Sequence, residues 1–190
     1  MQQSQFNQLS GGDMKFGSIL LVALLLACTA SVAAQEPAKV AVKDWAEQWK
    51  MAAEQLLGVA ETMPAEKYNY KPVKGVGAFG EQLKHATLAM KVLLANAESK
   101  TVRTDGALAA LQKLKTKEEI IAELRKTVQE GAAVIGRIVG KNDGEVVESQ
   151  FFGKTTRRFL LMQAIAHNNN HYGQLVYYLR LNGLTPPGSR

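Results

Sequence analysis

The stretch TTRRFLLMQAIAHNNNHYGQLVYYLRLNG occupies residues 155–183. Within it Leu160, Ala164, His167, His171, Leu175 and Tyr178 recur at steps of 4, 3, 4, 4 and 3, the period of one face of a helix. The spacing predicts an amphipathic helix from near Thr155 to near Asn182. Gly183 suits its exit, and Pro186-Pro187 prevent it from resuming. Two of the chain's 3 histidines therefore stand one turn apart on the face where core residues belong. Their Cβ atoms lie about 6 Å apart at that spacing.

The same period recurs upstream. Trp45, Trp49, Ala52, Leu56, Val59 and Met63 mark a helix from about Val42 to Thr62, ended by Pro64. A proline-, tyrosine- and glycine-bearing loop follows. Phe79, Leu83, Ala86, Met90 and Leu94 mark a second helix to about Asn96, with His85, Leu88 and Val92 widening its apolar half. Asp105-Gly106 reads as a turn, and residues 106–115 hold a short helix at most. Thr116-Lys117-Glu118-Glu119 has the pattern of a capping box. It opens a third long helix with Ile121, Leu124, Val128, Ala132, Ile135 and Val139 on its stripe, broken by Gly140 to Gly144. The expected fold is all-α: a four-helix bundle over residues 42–187 with one crossover connection.

The first residues read differently. Met14 and Lys15 precede an uncharged, apolar stretch from Phe16 to Gln35, and Val32-Ala33-Ala34 fits a small-residue cleavage site. This predicts residues 1–34 as an N-terminal extension and signal peptide, residues 35–41 as a linker, and a periplasmic or secreted mature chain. The apolar core is short for a membrane span, which needs roughly 20 apolar residues. Cys28, the only cysteine, follows Leu25-Leu26-Ala27 in the manner of a bacterial lipobox. Lipidation there is the alternative, giving a lipid-anchored envelope protein; contact with a membrane is expected only in that case. Either cleavage leaves no cysteine to serve as a thiolate ligand or nucleophile. Met1–Asp13 is polar, and Gly11-Gly12-Asp13 can be encoded by a purine-rich stretch resembling a ribosome-binding site, which fits translation starting at Met14.

Composition narrows the function classes. The chain is 46% hydrophobic and 21% charged, with formal charge +6 and pI about 9.4, the profile of an ordinary globular domain. Its basic residues are dispersed among acidic ones. The one local cluster, Lys154 to Arg158, reads as a solvated helix start. With no basic stripe interleaved with aromatics, no nucleic-acid partner is expected. GVGAFG (75–80) precedes a helix without a preceding strand, so it does not make a dinucleotide-binding turn.

Two readings of the histidines stay open on spacing alone. Two imidazoles at i, i+4 can converge on one ion, and His85 on a neighbouring helix can supply a third ligand, as bundle cores do for metals. Alternatively they are buried histidines hydrogen-bonded to the protein. Inward histidines are costly without partners for their nitrogens.

FGEQLKH (79–85), HNNNHYGQLVYYLRLNGLTPP (167–187) and the preceding MPAEKYNYKP (63–72) together resemble the DinB-like superfamily, over essentially the whole mature chain. The resemblance implies a metal-binding four-helix bundle whose histidine triad holds a divalent metal, nickel or zinc among others. Carried over by position, the triad is His85, His167 and His171. Many members have arginine after the last histidine. Tyr172 stands there in this sequence, which puts in doubt any substrate role borne by that arginine. The resemblance also implies a metal-dependent hydrolase or a transferase using small thiols. Such thiols are cytosolic and fit an exported chain poorly. No catalytic acid or base can be assigned, and the substrate is an unknown small molecule. A non-enzymatic metal-binding protein or an envelope stress and interaction module is the alternative, and a homodimer is compatible with the pattern. Gln174, one turn from His171, and the run Asn168-Asn169-Asn170 are candidates to touch substrate or orient an imidazole. Tyr172, Tyr177 and Tyr178 read as packing residues.

Overall fold

The computed structural model describes the backbone of residues 16–188 and the side chains of residues 39–188. The chain divides into two compact units, Met1–Pro37 and Ala38–Arg190. The expected signal segment, its cleavage site and Cys28 lie outside the residues whose side chains are described. Among the described residues no helix is long and apolar enough to cross a membrane. Helix α1 is Phe16–Thr62, so its backbone runs through residues 35–41, where a linker is expected.

In the second unit α1 presents Trp49, Leu56, Val59, Ala60 and, just past its end, Met63 to the core, all essentially inaccessible. This is the expected stripe. Trp45, at its outer end, is only partly buried. A 3-10 turn, Ala65–Lys67, follows Pro64. Tyr68 then folds back, its hydroxyl donating to the Ala60 carbonyl at 2.7 Å and its ring set edge-on to Phe79 at 5.2 Å. Helix α2 is Phe79–Ala97. The Glu81 carboxylate accepts the otherwise free Ala78 N–H at 2.6 Å, satisfying one orphan donor of the first turn.

Helix α3 is Thr104–Lys113, with only Leu111 buried. Asp105 and Gly106 sit inside its first turn rather than forming a turn of their own, and Asp105 there suits the positive end of the helix dipole. Helix α4 is Lys117–Ile138. Its capping box forms as expected: Thr116 Oγ1 accepts from Glu119 N at 3.2 Å, and Glu119 Oε2 accepts from Thr116 N at 3.0 Å. Its buried face is Ile120, Leu124, Thr127, Gly131, Val134, Ile135 and Ile138. The expected stripe is thus rotated by about one residue, leaving Ala132 exposed. Trp49 is the reason. Its indole N–H donates to the Val128 carbonyl at 2.9 Å, and a Cβ on Gly131 would lie only 2.0 Å from the ring. The helix must turn Gly131, and not a larger residue, toward the indole.

The fold is mostly helical, as expected, and carries in addition one small sheet among the described residues. Strands β1, Val146–Ser149, and β2, Gly153–Thr156, form an antiparallel hairpin closed by the Ser149–Gly153 pair. Gly153 takes φ +63°, the left-handed residue that three-residue hairpin loops favour. Asn96 at the end of α2, almost wholly buried, anchors the loop. Its Oδ1 accepts from Gln150 N at 2.9 Å and from Ser149 Oγ at 3.2 Å, and its Nδ2 donates to Gln150 Oε1 at 3.0 Å. The Gln150 amide in turn pairs with both backbone groups of Val102, at 2.9 Å and 2.8 Å.

Helix α5 is Arg157–Leu181, capped by Thr156. The basic cluster at its start is engaged rather than simply solvated. Arg157, its side chain 14% exposed, pairs with Glu145 at 3.0 Å and also donates to the Ala97 carbonyl. Arg158 pairs with Asp143 at 2.6 Å. These contacts tie the chain entering the hairpin to the helix leaving it. At the far end Gly183 takes φ +72°, and Leu184 N closes the helix onto the Leu179 carbonyl at 3.0 Å.

Candidate metal centre

Helices α2 and α5 lie along one another, and their shared core sets the register of the histidines. Leu83, Ala86 and Met90 of α2 and Leu160, Ala164 and Leu175 of α5 are all inaccessible to solvent. Tyr178 adds a directional tie at one end, donating to the Gly77 carbonyl at 2.7 Å. At the middle the fully buried Asn168 donates to the Met90 sulfur at 3.0 Å.

Within this frame His85, His167 and His171 come together as the sequence predicts. Ring centroids are 5.3 Å apart for His85–His167, 5.1 Å for His85–His171 and 4.6 Å for His167–His171. One ligand nitrogen from each ring lies within 4.8 Å of the others. Nitrogens bound tetrahedrally to one ion at about 2.0–2.1 Å are a little over 3 Å apart, so small ring rotations gather all three. The burial is graded. His171 is buried, His167 is half-buried and His85 is exposed. His85 was expected on the inward half of its helix; instead it stands at the rim, and the cluster opens to solvent through it.

Two nitrogens bear on the readings left open by the sequence. His167 Nε2 and His171 Nδ1 are buried and find no hydrogen-bond partner. An unsatisfied buried polar atom costs about 1–3 kcal/mol, so a pair of histidines kept for structure alone would be expected to have partners. Donors of this kind, neutral and converging with a third imidazole, fit a divalent ion. No carboxylate or thiolate joins the group among the described residues. Burial first, and then the neighbouring His167 and His85, push the His171 pKa down to about 4. Burial and His85 also lower that of His167. Both imidazoles are therefore held in the neutral, ligating form at neutral pH.

Two cavities adjoin the cluster. One, of about 240 Å³, is lined by His85, His167, Gln163, Phe151 and Phe152 together with apolar residues of α2. The other, of about 470 Å³, is more polar, with Glu81, Lys84, His85 and Lys115 in its wall. Lys84 is already committed, donating to the Leu114 carbonyl at 2.5 Å, and burial lowers its pKa. The other sequence candidates fall away from the rings. Gln174 is exposed and bonds Asn170 at 3.4 Å. Asn168 contacts Met90 and orients no imidazole, and its Oδ1 is unpartnered. Tyr172 donates to the Pro187 carbonyl at 3.4 Å, Tyr177 is exposed, and Tyr178 is the packing residue expected. The residues missed were Phe151, Phe152 and Gln163. For the two phenylalanines the missed signal is VVESQFFGKTT (146–156), a β-branched run with glycine after a short polar-aromatic turn; Gln163 lies on α5 and no local pattern marks it.

The chain matches the DinB family over residues 38–190, and it belongs to that family. A DinB-like protein from Bacillus cereus is 20% identical with a TM-score of 0.65, the match covering 77% of this chain and 95% of that one. A DinB-like protein from Bacillus subtilis is 19% identical with a TM-score of 0.62, covering 77% of this chain and 97% of that one. At such identity these two show the shared fold. No curated protein matches the chain.

The lowered histidine pKa values carry a sign. In the metal-free protein the unfolded chain binds protons at its histidines from about pH 6.5 downward, while the folded His171 does not until about pH 4. The unfolded state then holds more protons, so stability is complete above about pH 6.5 and falls on acidification toward pH 4. The slope reaches up to about 1.4 kcal/mol per pH unit for each imidazole kept neutral. Urea melts of the metal-free protein between pH 7.5 and 4.5 should show this fall, and His171→Leu should flatten it. An unchanged slope in that variant would contradict the assignment.

Proposed function

We propose that this DinB-family chain is an exported metal-binding protein in which His85, His167 and His171 hold one divalent ion, nickel or zinc, and that the site works as a metal-dependent hydrolase or transferase. The observation that carries it is the pair of buried, unpartnered nitrogens on His167 and His171, one turn apart on rings whose centroids lie 5.3 and 5.1 Å from that of His85. The protein's part is positional. α5 fixes two imidazoles on one face, α2 brings the third, and burial keeps two of them neutral. Three protein ligands leave coordination positions open, and His85 at the rim leaves them accessible. A divalent ion there supplies Lewis acidity toward a bound water or substrate oxygen.

One observation favours the non-enzymatic reading of the same site. Glu81 is the acid nearest to hand in the adjoining cavities. It is tied to Ala78 N and to Lys71 at 3.3 Å, and these contacts, the Ala78 N–H first, hold its carboxyl below the usual range. So deprotonated and so engaged, it is a weak candidate for a general base at neutral pH. Turnover that depends on added metal separates the enzyme from a binding protein.

Metal at a hundredfold excess over its dissociation constant stabilises a folded chain by about 2.7 kcal/mol. Nickel or zinc should raise the melting temperature at pH 7.5, and the rise should fade as the pH approaches about 4, where protons compete with the ion at the folded His171. His85→Ala, His167→Ala and His171→Ala should each still fold, because the helices rest on their apolar stripes, and each should lose most of the metal-induced rise. Isothermal titration of the three variants beside the wild type checks this. Wild-type affinity in His85→Ala would rule out the three-histidine site.

Export rests on the Met14–Ala34 pattern in the sequence. The intact mass of the protein from its native cells should correspond to a chain starting at Gln35, or at a diacylglyceryl-modified Cys28. A mass that retains residues 14–34 would contradict export.

A further inference from the structure

The 240 Å³ cavity beside the histidines bears on what the proposed metal site takes in, and the inference rests on that reading. Its polar end is formed by His85 and His167. The remaining wall is almost wholly apolar: Leu88, Val92 and Leu93 from α2, and Phe151 and Phe152 from the hairpin loop. Gln163 is the one other polar side chain, and no charged residue lines it among those described. The charged groups near His85, including Lys84 and Lys115, line the separate, more polar cavity instead.

The two phenylalanines are not explained by folding. Phe151 is 62% exposed and Phe152 46% exposed, so neither adds much to the core. They are nevertheless held in place. Asn96 and Gln150 pin the loop that carries them, and the Phe152 ring sits edge-on to Phe159 at 5.1 Å and 84°. A fixed apolar rim around a few converging polar atoms is the make-up of a small-ligand site. An engineered apolar cavity of about 150 Å³ accepts benzene, so this one, at about 240 Å³, has room for a single or fused ring.

We propose that the ligand of this site joins two parts: a donor atom that reaches the three-histidine centre, and an apolar group of phenyl to indolyl size seated between α2 and the Phe151–Phe152 loop. The donor part is shared by any metal ligand. The apolar part is what this chain selects.

Hydroxamates on the cobalt(II)-loaded full chain test this, with binding followed by the visible absorption of the metal. Benzohydroxamate should bind at least about tenfold more tightly than acetohydroxamate, from burial of its ring. Replacing both exposed rings (Phe151→Ser with Phe152→Ser) should remove most of that preference and leave acetohydroxamate affinity unchanged. Ala89 also lines the cavity from α2, and Ala89→Phe, which fills it, should do the same by a different route. Equal affinities for the two hydroxamates in the wild type, or a preference that survives both variants, would overturn the apolar pocket while leaving the metal site standing. A chain that takes up no cobalt would overturn the metal site and this inference with it.

Discussion

Where α5 lies along α2, a buried amide meets a thioether: Asn168 donates to the Met90 sulfur between the two helices. Thioether sulfur is a weak acceptor, and the Asn168 carbonyl oxygen has no partner at all. With His167 Nε2 and His171 Nδ1, the inner face of α5 holds three undersatisfied polar atoms. Each costs about 1–3 kcal/mol. The register of α5 on α2 therefore rests on the apolar residues around them, Leu83, Ala86, Leu160, Ala164 and Leu175, which are wholly excluded from water. That register places the three imidazoles within reach of one another. A slip of one turn would carry His85 about 5.4 Å along the helix axis, far enough to break up the cluster.

The rest of the second unit supports this pair. Trp49 of α1 presses against Gly131 of α4, which closes the opposite side of the core. Arg157 and Arg158 fasten the start of α5 to the chain before the hairpin. Asn96 and Gln150 fasten the hairpin loop to the end of α2 and to Val102. The consequence for function is that the loop bearing Phe151 and Phe152 and the helix bearing His85 are parts of one connected frame. One histidine of the cluster is buried, and another stands at the surface.

The long helices and the pairing of His167 with His171 on one face were legible because both depend on the 3.6-residue period, which the apolar stripes carry plainly; that His85 joins them was implied by the family resemblance. The capping box of α4 and the glycine exit of α5 were legible for the same local reason. The departures arise where tertiary contacts decide. The face of α4 is turned by one bulky indole meeting a glycine 82 residues further along the chain, a contact no local pattern shows. The hairpin was hidden because its strands have 4 residues each and lie between two helix signals. Its stability also comes from a side-chain amide pairing with a distant backbone. His85 was read as inward because the apolar half of α2 is broad. That breadth belongs in part to the cavity wall of Leu88 and Val92 rather than to the core alone.

In the proposed site three side chains from two helices bind a single ion together. X-ray absorption at the metal edge of the nickel- or zinc-loaded protein tests it most directly. Three imidazole nitrogens per ion are expected, at about 2.0–2.1 Å for zinc, with an imidazole lost in His85→Ala. An ion with fewer imidazoles in the wild type, or a spectrum that His85→Ala leaves unchanged, would contradict it.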